Sequence, residues 1–412
     1  MRIFKWTLLI ILIFLVLGLV VWKLKSRGGP SGQNKQGNQT TTPTSTGDYK
    51  QINQRLGGKD CQGQGSKTLT HLPMRPEDFS HILPYGLMIG GHVTPVDHWY
   101  FAPADYQSPR DAYPVFAIAD STLTSIQRRV RSVEDPSKKS DEYRLVFTYS
   151  CTFLTYYDLV TSLEPRILEK APQLKKENFA QVEIPVKAGE QIGKIGGQTL
   201  DFAVWDITKP LTGFVNPKSY EGEPWKIYTA NPFDYFSPEI NELMKVKIAR
   251  SVEPIWGKID YDIDGKLVGN WFLEGSGGIA DSSKERYWQS HLSVVYDYLD
   301  PGAVEVSFGD FEGKEKQFMV KGNAPDPASV GEEAGLVKYE LLENWEYYKG
   351  DGARWDKKSA AQNLKIKPNE QMMAGTVLFQ VLENRRLKME TFPGQKASEV
   401  SGFSEKAKVY LR

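Results

Sequence analysis

The stretch Gly90–Phe101, GGHVTPVDHWYF, decides how this chain is read. It holds two of the five histidines, His92 and His98, with the carboxylate of Asp97 between them. A glycine pair leads in and an aromatic run leads out. Imidazole and carboxylate groups at this density fit a metal site, the remnant of one, or a hydrogen-bonded turn. The sequence on either side has to choose among them.

Outward from that stretch, composition sets the first bounds. A chain of 412 residues is long enough for two or three domains, each with its own core. Its 51 basic residues are balanced by 51 acidic ones and form no basic stripe, so the footprint of a nucleic-acid binder is missing. The 36 glycines and 24 prolines, with many Tyr, Phe, Trp, Val and Thr, favour strands over helices.

Toward the N-terminus, Arg2 and Lys5 precede an unbroken apolar run from Trp6 to Trp22, and Lys23, Lys25 and Arg27 follow it. The run meets the short end of what a spanning helix needs, about 17–25 residues. Val21, Trp22, Lys23 and Leu24 stand where a signal peptide would carry small residues. Residues 1–27 are therefore expected to be an uncleaved transmembrane anchor. The short leading tail and large polar remainder place the body outside the cytoplasm. Residues 28–60 are rich in Gly, Ser, Thr, Asn and Gln and read as a flexible linker. Cys61 and Cys151 belong to no C-x-x-C motif; in such a compartment they either pair or remain two buried thiols.

Toward the C-terminus, short apolar runs alternate with turn residues. Tyr113–Ile126 gives two strand-like runs around Asp120-Ser121, and Tyr143–Leu159, Val182–Ile195 and Thr199–Trp205 add more. Leu163–Phe179 carries helix formers. Ser237-Pro238-Glu239 supplies an N-cap, a proline at the first helical position and an early acid, which predicts a helix to about Ala249. A first β domain is thus expected over residues 61–250. Residues 251–412 read as a second all-β domain, a β-barrel or β-sandwich. Its opening, WGKIDYDIDGKLVGNWF, alternates on both sides of Asp264-Gly265, a favoured hairpin-turn pair. The Gly-x-Trp of Gly269-Asn270-Trp271 is weakly similar to the start of lipocalin-like barrels.

Other motifs carry less. Asp260, Asp262, Asp264 and Gly265 match the first half of an EF-hand loop, but Trp271 stands where the bidentate acid belongs, so solvated carboxylates in a hairpin are the reading. No G-x-S-x-G, P-loop or dinucleotide fingerprint occurs. His71, His81 and His291 each stand alone.

The order of segments around the opening stretch resembles the lysostaphin/LytM-like zinc endopeptidases, which cleave peptidoglycan cross-links. The resemblance runs from about Ile82 to Tyr235. It begins at Gly90–His92 with an acid shortly after at Asp97, and continues through PVFAIADSTLTSI, YYDLVTSL and VKAGEQIGKIGG to TLDFAVWD. It implies a mainly β fold whose core is a LytM-like antiparallel β-sheet containing a duplicated hybrid motif. It also implies a zinc site drawn from His92, Asp97 and Asp201. Asp97 falls five residues after the histidine where the family has four, which leaves His98 as an alternative.

The proton-handling positions of the family fall on Asp158 and Thr199. Threonine cannot replace an imidazole as a general base, and the loss of both histidines forfeits roughly 10²–10⁴ in rate. The expectation is a degenerate, non-catalytic peptidase-like domain with a vestigial zinc site. Its partners would be a cell-envelope component or a cell-wall hydrolase. The alternative is an active zinc endopeptidase with an atypical His/Asp/Asp site.

Overall fold

The computed structural model describes residues 46–131, 139–279 and 286–412. The anchor expected at residues 1–27 and the first part of the linker lie outside these. No helix among the described residues is long and apolar enough to cross a membrane. The linker gives way to structure before residue 60. Thr46–Arg55 form a helix, and the buried Leu56 just after it packs with Tyr156 and Trp205. The buried Asn53 donates to the carbonyl of Ser150. Polar composition predicted a solvated tether here; a few well-spaced contacts to the sheet overrode it.

The first ten strands are β1 (Phe79–Leu83), β2 (Trp99–Pro103), β3 (Tyr113–Phe116), β4 (Ser121–Arg131), β5 (Lys139–Ser150), β6 (Phe153–Val160), β7 (Ser162–Leu163), β8 (Phe179–Val186), β9 (Gln191–Ile195) and β10 (Leu200–Asp206). Seven form one antiparallel sheet in the order β1-β2-β10-β6-β5-β4-β8, and β3-β9-β7 form a smaller one. Strand alternation sends Trp99, Phe101, Phe147, Tyr157 and Phe202 to a face that makes the main core. Each such side chain, once buried, contributes about 1.5–3 kcal/mol. Tyr100, Tyr156, Asp158 and Asp201 alternate with these residues on the same strands. The disulfide Cys61–Cys151 ties the entry segment to the β5–β6 turn. The expected helical stretch after Leu163 shrinks to Pro165–Glu169 and a 3₁₀ turn at Pro172–Lys175, whereas Pro238–Lys247 is helical as its cap predicts.

Of the two architectures expected for the C-terminal part, the barrel is the one that forms. The remaining strands are β11 (Gly269–Leu273), β12 (His291–Tyr296), β13 (Val304–Phe311), β14 (Lys314–Val320), β15 (Val337–Leu342), β16 (Trp345–Tyr348), β17 (Lys365–Pro368), β18 (Met373–Leu382), β19 (Arg386–Pro393) and β20 (Lys408–Leu411). All except the separate β16–β17 hairpin close into an antiparallel barrel of eight. Eight strands leave an interior that side chains can fill. Here Trp271, Val294, Phe308, Phe318, Phe379 and their neighbours fill it.

The hairpin predicted around Asp264-Gly265 does not form. The turn is present, but residues 258–263 are not a strand. Two of its acids are buried and held by protein groups, Asp260 accepting from Gly213 N and Lys258 and Asp262 from Asn270 N and Val215 N, while Asp264 stays exposed and accepts from Arg385.

Candidate functional site

Three of the segments singled out in the sequence converge on neighbouring strands. Asp201 on β10 is the cross-strand partner of Tyr100 on β2 and of Asp158 on β6. His98 immediately precedes β2, and Asp97 precedes His98. All four acids and imidazoles in this row (Asp97, His98, Asp158, Asp201) are buried. His92 is half-buried in the preceding turn, with its ring centroid 5.8 Å from that of His98.

Asp158 is positioned by a β-bulge. Arg144 on β5 opposes both Asp158 and Leu159, between the pairs Tyr143–Val160 and Leu145–Tyr157. Leu159 takes a φ of 65°, and its N–H donates to Asp158 Oδ1 at 2.8 Å. Arg144 Nε donates to Oδ2 at 2.9 Å, Arg129 Nε to Oδ1 at 3.0 Å, and Arg129 Nη2 to Oδ2. Burial pushes this carboxyl up, but the two guanidiniums outweigh burial and hold it far below the usual carboxylate range. A carboxylate so held cannot carry protons at neutral pH.

Asp97 is held in a different way. Its Oδ1 lies 3.1 Å from His98 Nδ1, and its Oδ2 lies 3.4 Å from the ammonium of Lys226. Burial opposes its ionisation, yet Lys226 and His98 keep it low. Lys226 stands 3.4 Å from Glu223 as well, one turn back in the chain. Glu223 Oε1 accepts from Tyr287 OH at 2.6 Å.

On the other side of the imidazole, His98 Nε2 lies 3.4 Å from Asp201 Oδ2 and makes no hydrogen bond. Burial raises Asp201 to about 6 against the pull of His98, and Thr199 Oγ1 reaches its other oxygen at 3.4 Å. Burial, with His98 and Lys226 nearby, lowers His92 to about 3.

The barrel packs on the turn that leads into this row. Gln317 on β14 donates to the Gly90 carbonyl at 3.0 Å and accepts from Gly90 N at 3.1 Å. Gly91 packs on the Trp288 ring so closely that a Cβ there would sit 2.9 Å from it. Tyr287 and Trp288 belong to a 3₁₀ turn, Tyr287–Ser290, that leads into β12. The Gly90–His92 loop is therefore pinned by the second half of the chain.

These residues do not fit a zinc centre. Such a centre needs three protein ligands and an open position. Among the described residues no group of three or more His, Cys, Asp or Glu is arranged to hold a metal. Asp97, the expected ligand, faces Lys226 and His98 Nδ1. His98 Nε2 and Asp201 Oδ2 face each other at 3.4 Å without a hydrogen bond. His98, the alternative ligand, is the hub of the arrangement.

Sequence reasoning missed Arg129, Arg144, Glu223, Lys226 and Tyr287. A signal existed for the arginines: an acid inside the apolar run FLTYYDLV needs a cation from the same sheet to offset its burial. Nothing local marked Lys226 or Tyr287.

No family model matches the chain, and no curated protein matches it. Among solved structures it is similar to Csd3 from Helicobacter pylori, at TM-score 0.22 and 13% identity over 35% of this chain and 31% of that one. A zinc-containing peptidase from Vibrio cholerae gives 0.24 and 16%, over 35% and 39%. The solution structure of lysostaphin gives 0.25 and 9%, over 84% and 92%. The chain spans about a third of the first two proteins. Scores and identities this low do not establish a family for it.

Proposed function

We propose that this chain is a membrane-anchored, extracytoplasmic protein whose peptidase-like domain no longer hydrolyses peptides. Its role is to bind a cell-envelope component or to regulate a cell-wall hydrolase. The carrying observation is the Arg129–Asp158–Arg144 cluster at the position where the resemblance calls for a proton-handling histidine. A carboxylate locked between guanidiniums at one of the family's proton-handling positions, and Thr199 at the other, leave both of those positions without a general base. The strand neighbours β2, β10 and β6, which carry the three family-like segments, support the peptidase-like reading. The Cys61–Cys151 disulfide supports an oxidising compartment. The anchor rests on the apolar run Trp6–Trp22 alone.

Because Asp97, Asp158 and Asp201 are buried, an envelope partner meets the outer surface of the protein and not these acids. The test uses the full-length chain, with sedimentation on purified peptidoglycan and turnover of a cross-linked peptide measured in parallel. Retention without turnover is the expected result. Turnover that disappears in His92→Ala or Asp201→Ala would instead establish the active zinc endopeptidase.

A further inference from the structure

The ammonium of Lys226 sits where three oxygens meet. Asp97 Oδ2, Glu223 Oε2 and the carbonyl oxygen of Pro95 each lie 3.4 Å from Nζ. The three side chains are buried. Both carboxylates are oriented from behind, Asp97 by His98 Nδ1 and Glu223 by Tyr287 OH. Asp97 Oδ2 receives no hydrogen bond, so the ion pair with Lys226 is what offsets its burial.

We infer that Lys226 is the resident cation of this site, standing in the electrostatic place of a divalent metal, and that removing it converts the Asp97, Glu223 and Pro95 oxygens into a hard-cation site. The inference rests on the non-catalytic reading above and extends it. Each cation already has its carboxylate partners: Lys226 faces Asp97 and Glu223, and Arg129 and Arg144 face Asp158. A divalent ion sharing these oxygens with the ammonium would sit against a like charge in a buried region, which is strongly unfavourable. With the ammonium gone, two carboxylates face each other across the vacated space, and one divalent ion balances them. An all-oxygen donor set suits Mn²⁺, Mg²⁺ or Ca²⁺ better than softer metals.

The experiment uses the full-length chain as wild type, Lys226→Met, Lys226→Arg and the double variant Lys226→Met/Glu223→Gln. Mn²⁺ is the probe, followed by the loss of the free-ion EPR signal and by the thermal midpoint. Wild type and Lys226→Arg are expected to bind less than about 0.1 equivalent, with midpoints unmoved by Mn²⁺ or a chelator. Lys226→Met should melt lower, bind about one equivalent of Mn²⁺ and regain several degrees with it. The double variant, with one carboxylate fewer, should show no response.

Stoichiometric Mn²⁺ or Zn²⁺ in wild type overturns the inference. So does a folded Lys226→Met whose midpoint ignores Mn²⁺, or one that stays unfolded even when expressed with Mn²⁺. Folding only in the presence of Mn²⁺ supports it. Peptide turnover by wild type would sink the non-catalytic reading through a separate readout, so the two failures can be told apart.

Discussion

Asp158 and Asp201 are direct cross-strand partners on β6 and β10, yet their carboxyls live in opposite regimes. Arg144 and Arg129 overcome the burial of Asp158 and keep it ionised, whereas burial of Asp201 prevails over His98 and raises it to about 6. Substitutions at the two positions should therefore differ in cost. Asp158→Asn strands two part-buried guanidiniums and should cost about 3 kcal/mol, the low end for a broken buried pair because the arginines reach solvent. Asp201→Asn should cost about 1 kcal/mol or less, since a group that is easily protonated loses little when made neutral. Urea denaturation of both variants checks this; equal losses would refute the assignment.

Acid should destabilise the fold through its buried imidazoles. Burial lowers His81 to about 4 and His291 to about 3. In the unfolded chain each protonates near its ordinary value of about 6.5. The folded pKa is the lower one, so the contribution is complete above about 6.5 and is lost as pH falls toward the folded value. His81 alone should cost about 2 kcal/mol between neutrality and pH 5. The difference between wild type and His81→Phe across the two pH values should show that loss, since the variant keeps a ring against Trp355, whose centroid lies 5.2 Å from that of His81.

The disulfide spans a sequence separation of 90 residues and closes the entry segment onto the β5–β6 turn. Loop-closure entropy predicts that reducing it costs about 4 kcal/mol. Denaturation with and without reductant gives the number directly. A loss under about 1 kcal/mol would mean that the entry segment is held by its other contacts.

The Gly91–Trp288 contact predicts a coupled pair. Gly91→Ala forces a Cβ into the Trp288 ring and should destabilise by about 1–3 kcal/mol. In a Trp288→Ala background the same change should cost almost nothing. A double-mutant cycle that gives simple additivity would show that the barrel does not press on the His92 loop.

The sequence by itself carried a good part of this. Alternation in YRLVFTYS and TLDFAVW specified strands with one apolar face, because side chains on a strand alternate between faces. The Ser237-Pro238-Glu239 start specified its helix. The segments GGHVTPVDHWYF, YYDL and TLDF pointed to one site, and β2, β10 and β6 bring them together. The tertiary structure decided what that site contains. Lys226 and Glu223 arrive from a helix and turn far along the chain, and Tyr287, Trp288 and Gln317 come from the barrel. None of these lies near His92 or His98 in sequence, so no local spacing could announce them. A buried carboxylate dictates only that some cation must approach it. Which cation does so, ammonium, guanidinium or metal, depends on which elements pack over the sheet, and only the assembled fold specifies that.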